Sequence, residues 1–190
     1  MASPSRRRCR RRRRCKRPVS SRGTRAGPSA PERRRRVRSS SMRFEDRSVR
    51  GQVARLRPLA VEVLRRYSID VAALRLLNHG FNTTFRVDTT DGRRFALRLN
   101  VNSRRTDSFI GAEMAWLAAL AEETDLWVPI PQRTLDGALL THVRSPDLGR
   151  DLPAALFSWL PGRDLGDDAS DVQMRAVGRA TAALHAHGEG

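Results

Sequence analysis

The sequence has few of the features that mark secreted, membrane-spanning or metal-stapled proteins. Only 2 of its 190 residues are cysteines, Cys9 and Cys15, and no further Cys or His pair lies nearby to complete a zinc site. We therefore expect free thiols. No apolar stretch of roughly 7–15 residues follows the basic N-terminus, as a secretory signal would require, and none approaches the roughly 18 apolar residues of a membrane helix. These absences predict a cytoplasmic protein without a membrane partner.

Acidic residues are almost absent from the first 42 positions. This stretch holds 17 of the 37 basic residues and one acid, Glu32, so it carries +16 of the formal net charge of +17. Because like charges repel and little apolar surface is available for burial, we expect residues 1–42 to form a disordered arm. Such an arm can bind phosphate backbones, which makes nucleic acid a possible partner through residues 6–38. Alternatively, the arm has no biological role and the protein begins at Met42.

The remaining residues carry nearly balanced charge and show helix and strand patterns in turn. Apolar residues at three- and four-residue spacing, together with the capping box Ser170-x-x-Gln173, predict helices over 49–67, 106–123 and 170–187. Alternating and apolar runs predict strands over 74–78, 85–89, 94–101, 126–135, 138–143 and 154–160. The dipeptide Asp91-Gly92 indicates a hairpin, so that three antiparallel strands lie side by side.

The strand over 94–101 and the following helix predict an ion pair. Alternation places Arg98 on the strand face opposite the apolar residues. On the helix, Glu113 falls within an apolar stripe formed by Phe109, Trp116, Leu117 and Leu120. A buried carboxylate is costly unless it is paired, so Arg98 is the expected partner of Glu113. A purely structural pair without a nucleotide is the alternative.

A glycine-containing turn precedes this pair, in the stretch GFNTTFRV that begins at Gly80. Such a turn can present backbone N–H groups and hydroxyls to a phosphate. The order of glycine turn, cation on the third strand and helix carboxylate is typical of the lobe with which kinases hold ATP.

These segments resemble a known family. Phe95-Ala96-Leu97-Arg98 is similar to the kinase V-A-I-K stretch, with arginine in place of lysine, and Gly80 and Val87 match the first glycine and the valine of the kinase glycine-rich loop. Together with AEMAWLAAL, VPIPQ and FSWLPGRDL, they resemble the aminoglycoside phosphotransferase, homoserine kinase and stress-response kinase superfamily. The resemblance runs from about residue 50 to the end.

The resemblance implies an α+β fold, with a kinase-like N-terminal lobe over residues 48–160 and a hinge exit with the first helix of a C-terminal lobe over 161–190. It implies ATP as the ligand, with Mg²⁺ in the full-length relative. Arg98 would contact the phosphates, Glu113 would orient Arg98, and the backbone around residues 157–160 would recognise adenine. The implied nucleotide-binding residues are Gly80, Asn82, Thr83, Thr84, Ala96, Arg98, Glu113, Phe157, Trp159 and Leu160.

The catalytic part of the family pattern has no match. Neither an H-G-D-x-x-x-x-N loop nor a D-x-D metal site occurs in the sequence, so we expect a chain truncated before the catalytic loop and inactive alone. We therefore assign no catalytic and no metal-binding residue, His185 and His187 included, because no third ligand accompanies them. The acceptor substrate stays unassigned. The alternative from another class is a non-enzymatic binding protein whose basic arm engages nucleic acid.

The last helix presents a further apolar stripe, formed by Val177, Ala180, Thr181 and Leu184. In a full kinase-like fold this stripe would be covered by the C-terminal lobe. We expect the helix to be frayed or loosely docked, and a separate C-terminal lobe to be a possible partner.

Overall fold

The computed structural model describes residues 42–103, 105–162, 165–166 and 168–189. Within these residues the predicted α+β class is confirmed. The helices are α1 (Val49–Leu64), α2 (Asp107–Glu123) and α3 (Asp171–Gly188). The strands are β1 (Val71–His79), β2 (Thr83–Thr89), β3 (Arg94–Leu99), β4 (Thr141–Ser145) and β5 (Arg150–Ser158). The basic arm predicted over 1–42 lies, apart from Met42, outside the described residues.

The five strands form one antiparallel sheet in the order β1-β2-β3-β5-β4. The predicted side-by-side arrangement of the first three strands is therefore confirmed. The hairpin between β2 and β3 turns at Gly92, whose φ of 82° is readily adopted by glycine but rarely by residues with a Cβ. This topology places β3 at the centre of the sheet.

The prediction of a strand over 126–135 is wrong. The structure has there only an isolated bridge between Pro131 and Phe157, flanked by backbone hydrogen bonds of 2.8 Å from Ser158 to Ile130 and from Gln132 to Leu156. Proline has no N–H to donate to a ladder, so a segment containing Pro129 and Pro131 does not extend the sheet. The two later strands exist, but β4 begins at Thr141 rather than 138 and β5 begins at Arg150 rather than 154.

One face of the sheet is closed by α1. The six apolar residues that define the helical period of α1 are all buried, namely Val53, Leu56, Leu59, Ala60, Val63 and Leu64. They pack in one cluster with the inward residues of β2 and β3, which include Phe85, Val87, Leu97 and Leu99. Pro58 is accommodated inside α1. Because successive side chains of a strand alternate, the remaining side chains of β2 and β3 point toward the opposite face of the sheet.

The opposite face is partly covered by α2, with only part of the predicted stripe: Leu117 and Leu120 pack inward, but Phe109 and Trp116 do not. Ile110, Met114 and Leu120 are buried, whereas Phe109 is 66% and Trp116 43% exposed. Apolar residues surround most of α2, so helical spacing alone does not determine which side faces the sheet. Glu113 consequently lies at the edge of the buried face, with its side chain 25% exposed.

None of the helices among the described residues is long and apolar enough to cross a membrane. The cytoplasmic location stays a prediction of the sequence.

Candidate functional site

A cleft beside α2 is lined by Arg98, whose side chain lies on the sheet face that points away from α1. Thr84 on β2 lies directly opposite Arg98 on β3, and Ala96 on β3 lies opposite Phe157 on β5. Because side chains alternate along each strand, all four share one face of the sheet. Four of the predicted residues, Thr84, Ala96, Arg98 and Phe157, thereby share this face.

The predicted ion pair between Arg98 and Glu113 is present. Nη1 of Arg98 donates to Oε1 of Glu113 over 2.7 Å, and Nη2 donates to Oε2 over 3.1 Å. The two side chains are 18% and 25% exposed, so the pair is largely but not fully removed from water. This fork-to-fork geometry holds both groups in a defined orientation.

The guanidinium of Arg98 is also packed against an aromatic ring. Its Cζ lies 4.9 Å from the ring centroid of Phe157, within the range of a cation–π contact. Its Nε is buried and has no hydrogen-bond partner within the part of the chain that the structure describes. One donor of Arg98 is therefore uncommitted.

A second arginine, which the sequence analysis missed, joins this pair. Nη1 of Arg105 donates to Oε2 of Glu113 over 3.3 Å, and the side chain of Arg105 is 58% exposed. Arg105 directly precedes Thr106, which caps α2 by accepting from the backbone N–H of Phe109. The sequence signal that could have identified Arg105 was its position beside the start of the helix, eight residues before Glu113.

The turn between β1 and β2 forms one wall of the cleft. Its backbone carbonyls are tied down: Asn102 donates from its backbone N–H to Phe81 and from Nδ2 to Gly80, over 2.9 and 2.7 Å. Oδ1 of Asn82 is buried and lacks a partner among the described residues. The turn is therefore anchored by the segment that follows β3.

Of the predicted turn residues, Thr83 does not turn its side chain toward this cleft. Thr83 is completely buried on the α1 side of the sheet, and its hydroxyl lies 2.8 Å from Nδ1 of His79. Nε2 of His79 lies 2.8 Å from Oε1 of Gln52 in α1. Strand alternation places Thr84 on the sheet face of Arg98, so it turns Thr83 to the opposite face.

Only part of the predicted hinge has backbone groups that are available to a ligand. Phe157 lies inside β5, where its neighbours Leu156 and Ser158 bond the 130–132 segment, so its own backbone groups face β3. Trp159 and Leu160 follow the end of β5 and line a separate cavity of about 470 Å³, together with Trp127. Of the predicted hinge residues, these two have backbone groups outside the sheet.

The cleft around the ion pair has a volume of about 840 Å³. Its lining consists of Phe81, Asn82, Arg98, Ser103, Arg105, Thr106, Phe109 and Glu113. The charged side chains of this lining are two arginines and one glutamate, which leaves one net positive charge. A cleft with one net positive charge and guanidinium donors is suited to an anion.

The sheet face next to the cleft carries more arginine. Asp88 on β2 accepts from Nε and Nη2 of Arg86 over 2.9 and 3.0 Å, and Arg75 and Arg94 lie at 3.5 and 3.6 Å. The hydrogen bonds from Arg86 are the main cause of a lowered pKa for Asp88. The guanidinium of Arg86 lies 5.8 Å from the ring centroid of Trp159.

No metal site is formed in the parts of the chain that are described, since no group of three or more His, Cys, Asp or Glu residues converges there. His187 contacts Trp116 and Glu123 on α2, and His185 is exposed on α3. Neither histidine lines the cleft.

Comparison with known proteins places these features in context. Residues 73–189 match the sequence pattern of the phosphotransferase enzyme family. An uncharacterised protein of Deinococcus radiodurans is 33% identical over 159 residues, which cover 82% of this chain and 45% of that protein. The chain therefore spans less than half the length of this relative.

Two solved structures have a similar fold. A microcompartment-associated aminopropanol kinase has a TM-score of 0.58 and 28% identity, over 68% of this chain and 40% of that one. The amicoumacin kinase hAmiN, in complex with AMP-PNP, Ca²⁺ and Ami, has a TM-score of 0.60 and 19% identity, over 74% of this chain and 42% of that one. The second likeness concerns the fold alone.

Proposed function

Since this chain belongs to the phosphotransferase enzyme family, we propose that its cleft binds the phosphate groups of ATP and that the chain is the nucleotide-holding part of a kinase-like phosphotransferase. The observation that carries the proposal is the forked Arg98–Glu113 pair beside the turn at residues 80–82. Glu113 fixes the orientation of the guanidinium, and the Nη N–H groups of Arg98 that Glu113 does not use are donors for a phosphate oxygen.

The arginine in place of the usual kinase lysine is consistent with this role. A guanidinium has five donors, so it can engage a carboxylate through one edge and a phosphate through another. The ring of Phe157 supports its plane. The complex of hAmiN with AMP-PNP adds that a protein of this fold binds an ATP analogue.

For the base, we propose the segment just after β5. Trp159 and Leu160 lie where the chain leaves the sheet, at a cavity whose lining includes the apolar residues Trp127, Val128 and Ile130. A planar base can pack against such a lining while backbone groups supply hydrogen bonds. Phe157 contributes through its ring and not through its backbone.

Transfer of the phosphoryl group needs residues that this sequence does not contain. Phosphoryl transfer depends on metal ions that stabilise the charge of the phosphoryl group and on a base that positions the attacking hydroxyl. In the kinase pattern these are supplied by H-G-D-x-x-x-x-N and D-x-D, and neither occurs in the 190 residues. We therefore propose that this chain alone binds nucleotide without transferring phosphate. The described residues form no metal cluster, so no step through magnesium is part of the proposal.

Nucleotide binding is tested by titrating ATP into the purified chain and into the variants Arg98→Gln and Arg144→Gln, with calorimetric detection. Arg144 is the control, because it forms an exposed ion pair with Asp151 on β4 and does not line the cleft. We expect Arg98→Gln to weaken binding about tenfold or more, and Arg144→Gln to leave it unchanged. Absence of ATP binding, or equal affinity in both variants, contradicts the proposal.

Catalytic inactivity is tested with γ-labelled ATP and a panel of small hydroxyl- and amine-bearing acceptors. We expect no labelled product above the control without protein. Turnover that disappears when an acidic residue of this chain is replaced would show that a catalytic base has been missed.

A separate C-terminal lobe is the partner that we propose for transfer. No residue of α3 is buried, and Met174 and Val177 are 54% and 41% exposed. Exposed apolar residues on one helix are suited to a further protein surface. The test is to add the separately expressed remainder of the Deinococcus relative and to measure complex formation and phosphotransfer; no complex would contradict this partner.

The second candidate function, nucleic-acid binding, is favoured by the charge of +16 on residues 1–42. Binding of this kind falls steeply with salt. Removal of residues 1–41 should abolish salt-dependent binding to double-stranded DNA or RNA. Binding that is retained after this removal would exclude the arm as the nucleic-acid-binding segment.

A further inference from the structure

Two arginines share one carboxylate in the cleft. Among the described residues, Oε1 of Glu113 accepts only from Arg98, at 2.7 Å, whereas Oε2 accepts from Arg98 at 3.1 Å and from Arg105 at 3.3 Å. One negative charge therefore faces two positive charges. Arg98 binds both carboxylate oxygens of Glu113, whereas Arg105 binds one of them.

The two arginines differ in how firmly they are held. Arg98 lies on a central strand, is 18% exposed, forms the fork with Glu113 and packs on Phe157. Arg105 lies in the loop before α2, is 58% exposed and has one long hydrogen bond to Glu113. Exposed ion pairs contribute little to stability, so Arg105 can leave Glu113 at small cost.

We infer that Arg105 is a second phosphate-binding residue, for which Glu113 is only the counterion in the absence of a ligand. This inference rests on the proposed function, because it assumes that a polyphosphate enters the cleft. Arg105 then exchanges its single bond to a shared carboxylate oxygen for a forked contact with a phosphate. Glu113 keeps its bonds to Arg98, so the position of Arg98 is preserved.

The arrangement has a consequence for the ligand class. Arg98 and Arg105 approach Glu113 from two directions, one from the sheet and one from the loop before α2. A ligand with at least two phosphates can satisfy both guanidinium groups, whereas a single phosphate leaves one of them with Glu113. The cleft should therefore favour nucleoside triphosphates and diphosphates over monophosphates, and the difference should depend on Arg105.

The test uses ATP, AMP and inorganic tripolyphosphate as probes, with the whole chain and the variants Arg105→Gln, Arg105→Lys and Arg144→Gln. We expect Arg105→Gln to weaken ATP and tripolyphosphate about tenfold to a hundredfold, the range for one charge-assisted contact. AMP should bind as in the unmodified chain. Arg105→Lys should recover part of the affinity, because a point charge keeps the attraction without the fork, and Arg144→Gln should change nothing.

Two further readouts separate ligand binding from a structural role. The melting temperature of Arg105→Gln without ligand should equal that of the unmodified chain, since its bond to Glu113 is exposed. The tripolyphosphate affinity of this variant should also depend less on ionic strength, because one charge is lost. A lowered melting temperature with equal losses for AMP and ATP would overturn the inference.

The outcomes distinguish this inference from the proposed function. If Arg98→Gln weakens ATP and Arg105→Gln does not, the inference is wrong and the proposed function stands. If the unmodified chain binds neither ATP nor tripolyphosphate, both are wrong.

Discussion

The indole N–H of Trp116 on α2 donates a hydrogen bond of 3.1 Å to Nδ1 of His187 on α3, and Nε2 of the same imidazole lies 3.1 Å from Oε2 of Glu123. Since Nδ1 accepts, the ring proton is on Nε2 and points at the carboxylate. The C-terminal end of α3 is thereby joined to α2, while Met174 and Val177 nearer its start remain exposed.

Replacement of His187 by alanine should release the end of α3. Both hydrogen bonds are lost, and an 18-residue helix with no buried residue is marginal in water without tertiary contacts. Amide hydrogen exchange should accelerate over residues 180–188, whereas His185→Ala, at an exposed position, should leave it unchanged. Protection of residues 172–186 as strong as that of β3 in a monomer would contradict the expected loose docking.

Replacement of Glu113 by alanine should destabilise the fold moderately. A fully buried pair broken on one side costs roughly 3–5 kcal/mol, but these side chains are 18% and 25% exposed, so water screens the remaining charge. We expect about 1–2 kcal/mol by urea denaturation. Asp151→Ala, which removes an exposed partner of Arg144, should cost less than about 1 kcal/mol. A loss above 3 kcal/mol would mean that the cleft excludes water.

The single tyrosine should titrate late and limit stability in alkali. Burial raises the pKa of Tyr67 to about 12, above the value of about 10 expected in the unfolded chain. The stability that Tyr67 contributes is therefore fully present below pH 10 and is lost as the pH rises through about 12. Tyrosinate absorbance of the folded chain reports this pKa directly. Tyr67→Phe should remove the tyrosinate signal and reduce the loss of stability in this range; an ordinary pKa would show that the hydroxyl reaches water.

Replacement of Leu97 by alanine should be among the costly core changes. Leu97 is completely buried at the centre of the sheet, in the cluster that contains Leu56 and Phe85. The lost transfer energy and the cavity together cost about 2–5 kcal/mol in such positions. Leu135→Ala is the matched control, since Leu135 is 71% exposed and its loss should stay within about 0.5 kcal/mol. Equal effects of the two substitutions in urea denaturation would contradict the packing described here.

Local features of this protein were determined by the sequence. The alternation along β3 buries Phe95, Leu97 and Leu99 and turns Arg98 the other way, because successive side chains of a strand must point to opposite faces. Gly92 reverses the chain at the predicted hairpin, and the capping box at Ser170 opens α3 as expected. These features depend on residues adjacent in the chain, so a single sequence contains the information for them.

Other features were decided only by the tertiary structure. α2 is apolar on most sides, so its contacts with β5 select Ile110 and Met114 for burial and leave Phe109 outside. Thr83 was assigned to the cleft from its place beside a glycine turn, but the register of β2 turns it toward His79. Arg105 acquires its position because the loop before α2 returns to Glu113. Each depends on how separate elements pack, and the orientation of a helix or strand about its own axis is set by its neighbours rather than by its own residues.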